Sequence, residues 1–350
     1  MSTEAARTIA MPDRIPSRLG PLELVDGVPT RNTAELLYEN LDFMRGVEAF
    51  LSTLSGASQV AFRRGLREAG VDRNGTVGIF DRNVDAHSLL LTPEAESVEV
   101  AAWLDLDEGA TIVESPPGTS GSLDDFFGRH VTDLGTAGPD GGKGGLFLFV
   151  PEAYDGQLSE RYFAYRSPTY GNLLTFRAFP VAGDLASVVE RIRNTLRIHP
   201  FDVDFDEYLE EEVEDESTRF ISLSGKPINT IHAIDFGFYE QIAELVREEP
   251  TAALSSELLG LLEAIGIDSA KPFSPDSAAR ASLTEAARVG NATARALVFR
   301  PRNPEGVLYE GSGWQTLSAG GSHDFTKKGV RTLDARTRYS YLSAVTSPAG

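Results

Sequence analysis

Along Asp81-Arg82-Asn83-Val84-Asp85-Ala86-His87, polar residues alternate, so an extended chain would place Asp81, Asn83, Asp85 and His87 on one face. Oxygen and nitrogen donors so arranged suit a divalent metal, and Asp81, Asp85 and His87 are the candidate ligands. A calcium-binding EF-hand loop is excluded, because its sixth position is Ala86 rather than Gly and its twelfth is Thr92 rather than Glu. The wet face of an edge strand or loop would show the same alternation. A second constellation is His232 with Asp235, three residues on. If a helix starts at Asn229 or Thr230, the carboxylate shares a face with the imidazole and can orient it for acid/base work. A capping and packing motif under a domain junction explains the same residues. Carboxylates form the third group: Glu94, Glu96 and Glu99, with Glu114 and Asp124-Asp125. Crowded on a strand face, Glu94 and Glu96 would raise one another's pKa; pointing to solvent, they would do nothing. His130 is a further candidate. The five histidines show no pair at helical spacing, so any site using one needs convergence in space.

Two glycine-rich segments fail as motifs. In Gly138-Pro-Asp-Gly-Gly-Lys-Gly144 three residues rather than four precede Gly-Lys, and Gly144 stands where a phosphate loop needs Ser or Thr. Gly118-Thr-Ser-Gly121 lacks the spacing of a nucleophile elbow.

The elements that would position these residues follow from periodicity. Residues 1–33 read as an N-terminal arm. Over 34–70, Leu36, Leu37, Leu41, Met44, Val47, Phe50 and Leu51 form one helical stripe, and Ser58–Ala69 a second, shorter helix, together a helical hairpin. Between 76 and 200 the period falls to two. Val77–Phe80, Leu89–Leu91, Val98–Leu104, Thr111–Glu114, Leu146–Val150, Tyr162–Arg166 and Leu173–Phe179 predict seven strands, as an immunoglobulin-like β-sandwich requires, with Trp103 as its central aromatic. Ser122–Arg129 reads as a helical turn, Gly135–Gly145 as a loop, and Leu185–Leu196 as an amphipathic helix. Residues 201–228 read as an acidic linker, since Asp202–Glu216 holds ten acids and no base. Over 229–299, Thr230–Glu248, Ser255–Ala264 and Ser277–Phe299 predict a helical subdomain. Residues 300–350, mixed aromatic and Gly, read as the start of an incomplete β domain. The expected fold class is therefore a multidomain α and β protein.

Composition bounds the function. The 350 residues are 41% hydrophobic and 24% charged, which describes a globular chain of two or three domains. With no cysteine, disulfides, thiolate metal sites and cysteine nucleophiles are excluded. A net charge of -20 disfavours nucleic acid and anionic membrane as partners. Met1–Gly20 shows no secretion signal and the most apolar run, Leu146–Pro151, is too short to span a bilayer, so a cytoplasmic location is expected.

Eight segments in order carry a resemblance: Pro12–Arg18 with Gly20, Leu41–Gly46, Ala102–Leu106, Val131–Gly145, Arg166–Arg177, Ser224–Phe236, Gly290–Arg302 and Leu333–Arg336. Together they resemble bacterial proteins built from domains of unknown function 1254 and 1214. The resemblance implies an immunoglobulin-like sandwich with a helical subdomain for the 1254 part and a jelly-roll-like β domain for the 1214 part, and brings no established reaction. Where many members carry Asn-x-Asp/Glu-Thr-x-Tyr before the Trp-Leu-Asp-Leu strand, this chain has Glu94-Ala-Glu-Ser-Val-Glu99. That implies an altered ligand site there. Members usually continue about another hundred residues, so a homo-oligomer, or a partner supplying the missing β domain, is expected to complete the fold. The leading functional expectation is a module that binds a small-molecule ligand or a partner. The alternative is a metal-assisted hydrolase of a small acidic or phosphorylated substrate using a divalent metal.

Overall fold

The computed structural model describes residues 12–85, 87–88, 96–180, 183–201, 218–302, 306–312, 314–316 and 325–342. A small antiparallel sheet, β1 (Arg14–Ser17), β2 (Gly20–Val25) and β3 (Val28–Pro29), leads into α1 (Arg31–Glu68). Thr30 caps α1, its hydroxyl accepting from the Thr33 amide at 3.4 Å. The predicted helical hairpin over 34–70 is thus corrected to one helix of 38 residues. Leu54-Ser-Gly-Ala-Ser58 reads as a break by propensity, but tertiary contact overrides it. A Cβ on Gly56 would lie 2.6 Å from Leu245 Cδ2, and one on Gly65 2.6 Å from the Asn229 carbonyl oxygen. Small residues there let other segments close onto an unbroken helix.

The β region forms two sheets. The six-stranded sheet runs β13 (Arg219–Ser222), β4 (Thr76–Phe80), β5 (Val98–Asp105), β11 (Gly171–Ala178), β7 (Ser120–Asp125), β8 (His130–Gly135). The four-stranded sheet runs β10 (Phe163–Ser167), β9 (Gly145–Pro151), β6 (Thr111–Ser115), β12 (Arg197–Pro200). Pairings are antiparallel except β9 with β10 and β4 with β13, which are parallel. Val100 and Leu104 meet Phe147, Phe149 and Ile198 in a shared core, to which α2 (Leu185–Thr195) adds Val188 and Ile192.

Alternate residues of β5 face the other way. Ala101 and Trp103 pack with Phe126 and Leu173 against α1, so the strand is buried on both faces and is apolar from Val100 to Leu104. Trp103 is accordingly not the aromatic between the sheets: it meets Phe126 edge-on at 4.7 Å and lies under the Arg63 guanidinium. Ser122–Arg129, expected as a helical turn, begins within β7, and the expected loop over 135–145 begins at the last residue of β8. Their polar and glycine residues hide the alternation, while pairing of β7 with β11 and of β8 with β7 supplies the backbone partners. Leu89–Leu91 and Asp202–Glu216 lie outside the described residues.

The helical layer is α3 (Gly237–Glu248), α4 (Ser256–Ala264) and α5 (Ser277–Phe299), capped at Ser255 and Asp276 for the latter two. The buried Arg63 of α1 donates to Glu244 at 2.8 Å and Glu248 at 2.6 Å, fixing α3 on α1. Between Arg300 and Leu342 the described residues form a two-stranded hairpin, β14 (Thr326–Lys327) and β15 (Val330–Arg331), a Val307–Gln315 bridge, and α6 (Leu333–Leu342). Among the described residues, the segment expected to start a β domain holds that short hairpin, the bridge and α6. Thr337 reaches the Leu51 carbonyl, laying α6 on α1. The architecture is a mixed α and β multidomain fold. Among the described residues no helix is long and apolar enough to cross a membrane.

Candidate functional site

Where the β7–β8 turn, α1, the α3–α4 connection and the C-terminal hairpin with α6 meet, they enclose a cavity of about 390 Å³. The turn is built by Asp125, fully buried, whose Oδ1 accepts from the amides of Phe127 (2.8 Å) and Arg129 (2.9 Å) while Oδ2 accepts from Arg129 Nε at 2.5 Å. Burial pushes the Asp125 carboxyl up from its ordinary value, and Arg129 with the two amides pulls it back. Arg129 Nη1 donates to the Ala253 carbonyl at 2.7 Å, joining the turn to the α3–α4 connection. This places Phe127, Arg129 and His130 on one wall.

The opposite wall comes from the C-terminal segment. Phe325 holds a left-handed backbone, φ 56°, and its carbonyl accepts from both the Thr332 amide and hydroxyl at 2.7 Å. Such a conformation is costly for a bulky residue and persists where surrounding contacts impose it. Its ring lies 5.1 Å from that of Tyr339. Arg331 and Arg336 line the same side, and Arg336 Nη2 donates to the Ser52 carbonyl at 3.3 Å. Burial and the neighbouring Arg331 charge both press the Arg336 pKa down. Apolar Leu254 and Leu258 close the base. Apolar walls with a few convergent polar groups are what small-molecule sites generally show.

Of the sequence candidates among the described residues, His130 alone lines this cavity. Its Nδ1 stands 3.7 Å from Asp124 and its Nε2 3.7 Å from Asp133. The interaction with Asp124, reinforced by the charge of Asp133, holds its pKa above the usual histidine value against partial burial. His232 lies elsewhere, 4% exposed, with Nδ1 2.8 Å from the Ala233 carbonyl and its ring edge-on to Phe50 and Phe238. Burial lowers its pKa. The expected helix start at 230 is corrected to Gly237, and Asp235 accepts from the Gly237 amide at 2.9 Å instead of orienting the imidazole. His232 packs, and Asp235 shapes a turn.

Asp81 accepts from Arg193 at 3.0 Å and from the Ser222 hydroxyl at 2.7 Å, in a shallow groove that α2 borders. Asp85 and His87 pair with each other at 2.9 Å on the surface. Hydrogen bonds from His87 hold the Asp85 carboxyl below its ordinary value. Among the described residues no three His, Asp or Glu gather as metal ligands. Glu94 lies outside the described residues, and Glu96 is exposed ahead of β5. Glu99 is ion-paired with Arg177 at 3.0 Å, and Glu114 lies 3.5 Å from His199. Glu99 and Glu114 thus sit in separate pairs, and the expected crowding of Glu94 with Glu96 involves a residue outside the described ones.

Arg331 and Tyr339 lie in no motif, and Arg336, at the end of the Leu333–Arg336 segment, carries no mark of a binding role in the sequence. They reach the β7–β8 turn only through the packing of α6 on α1.

Comparison with known proteins adds the fold. The VPA0106 protein from Vibrio parahaemolyticus is similar in structure, with a TM-score of 0.56 at 15% identity, covering 88% of this chain and 68% of that one. No curated protein matches. Residues 75–200, which hold β4 to β12 and the β7–β8 turn on which Arg129 and His130 stand, match the model of the family described as a protein of unknown function (DUF1254).

Proposed function

We propose that this protein is a small-molecule-binding module whose ligand lodges in the cavity between the β7–β8 turn and α6. The observation that carries the reading is a cavity of about 390 Å³, within the size range of ligand sites, with apolar walls and polar groups brought from four separate segments. A screen of ligand-sized compounds by thermal shift tests it, run beside Leu258→Trp, which places an indole in the cavity. Stabilisation of the wild type that this variant abolishes supports the reading, and an identical response of both proteins contradicts it.

The two-layer packing of 76–200 also supports an immunoglobulin-like description, and its parallel β9–β10 pairing sets it apart from the all-antiparallel form. A 1214-type, jelly-roll-related assignment of 300–350 rests on the segments Gly290–Arg302 and Leu333–Arg336. Self-association is supported by Trp314, 72% exposed, beside the equally bare Tyr309. Light scattering at micromolar concentration tests it: a dimer or larger species is expected, and a clean monomer contradicts it.

A further inference from the structure

The cavity differs in charge from the rest of the molecule. The chain carries 52 acidic residues, yet among the described residues none lines this cavity, while Arg129, Arg331, Arg336 and His130 do. Arg129 is neutralised from behind by Asp125, and His130 by Asp124 and Asp133. Arg331 and Arg336 differ: among the described residues neither is paired with a carboxylate, and the charge of Arg331 bears on Arg336. Arg336 is anchored on the Ser52 carbonyl and Arg331 is exposed. Two neighbouring guanidiniums in a partly desolvated space repel each other unless an anion lies between them. Arg129 Nη2 is moreover buried with no hydrogen-bond partner among the described residues, a donor that a native structure normally satisfies. Phe127, Leu258 and the Phe325–Tyr339 ring pair offer apolar surface, while Ser52, Ser55 and Ser255 add neutral polar groups to the lining but no charge.

Resting on the cavity reading above, we propose that the ligand is a small organic anion, its carboxylate or phosphate head held between Arg331 and Arg336 and its apolar body against Phe325, Tyr339 and Leu258. Guanidinium forks match both oxyanions, so the two heads are separated by experiment.

Calorimetric titration of the full chain with benzoate, phenyl phosphate and neutral benzamide tests this. At least one anion is expected to bind roughly tenfold or more tighter than benzamide. Binding of benzoate alone assigns a carboxylate head, and of phenyl phosphate alone a phosphate head. Arg331→Glu, a change at an exposed position, is expected to abolish binding of the anion, and Arg331→Gln to weaken it, with unfolding temperature unchanged in both. Benzamide binding as tightly as both anions, or anion binding indifferent to Arg331→Glu, overturns the anion proposal. If Leu258→Trp still removes binding in that case, the cavity reading survives. No binding by any probe up to roughly 10 mM, the weak end for ligands of this size, overturns both.

Discussion

Glu249, at the C-terminal end of α3, accepts from the Gly171 amide at 2.9 Å, and its other oxygen accepts from the Tyr170 amide at 2.6 Å. The bond ties the helical layer to the turn between β10 and β11. A Cβ on Gly171 would meet Trp103 and Phe126 at 2.8 Å, so the helix end, the turn and the aromatic pair are fitted to one another.

That carboxylate is 8% exposed, and burial raises its pKa from 4.5 to about 7, with the Asp105 charge adding to the rise and the two amides and Arg63 opposing it. The folded state therefore holds the proton more tightly than the unfolded chain. The contribution to stability is fully present below about pH 4.5 and is lost as pH rises through about 7. The expected loss is on the order of 3 kcal/mol between these limits. Urea unfolding at several pH values checks it: the wild type should fall in stability relative to Glu249→Gln as pH rises. Parallel curves for the two proteins would contradict the assignment.

Arg63 is 3% exposed, faces Glu244 and Glu248, and stacks over Phe126 at 4.4 Å. Arg63→Ala removes the shared partner of two carboxylates and leaves a void under Trp103. Both carboxylates keep some contact with water, which places the expected cost near the low end for a broken buried pair, about 3 kcal/mol. Arg63→Met keeps the packing volume and should cost clearly less. Equal losses for both variants would show that charge, not packing, dominates.

Gly65 sits inside α1, where Ala is ordinarily better than Gly by about 0.5–1 kcal/mol. Here the added Cβ would lie 2.6 Å from a backbone carbonyl at Asn229, which cannot swing aside as a side-chain tip can. Overpacking costs of about 1–3 kcal/mol should outweigh the helix gain, so Gly65→Ala is expected to lower the unfolding midpoint. A raised midpoint would mean that the 228–229 segment is not held against α1.

The legibility of the sequence follows the kind of signal each element carries. Ser277–Phe299 has a cap, a stripe and an end, and is a helix over those residues. Val98–Leu104, apolar except for Glu99, lies inside a strand, but a strand buried on both faces carries no mark of which residue faces which layer, so the sequence does not show that Trp103 faces α1. β7 and β8 are short of apolar alternation; they pair with each other, and only the pairing of β7 with β11, a long-range fact, joins them to the sheet. α1 looked broken at Gly56 because propensity cannot register that Leu245 needs the space. Of the site, His130 was named from its residue type, whereas Arg331 and Arg336 enter it only through tertiary packing.

His130 offers an internal check on the cavity wall. Titrated by NMR, its ring should show a pKa above the ordinary 6.5, and Asp124→Asn should lower it, since the carboxylate is the main cause of the rise. A titration unaffected by Asp124→Asn would mean that the ring does not face β7 as described.

The central claim is that an organic anion binds in the cavity between the β7–β8 turn and α6. Backbone chemical-shift mapping of the full chain with benzoate or phenyl phosphate tests it most directly. Perturbations should concentrate at Phe127–His130, Ser52, Ser55 and Phe325–Ser340, and vanish in Arg331→Glu. Perturbations centred instead on the Asp81–Arg193 groove, or spread evenly over the surface, would contradict the account.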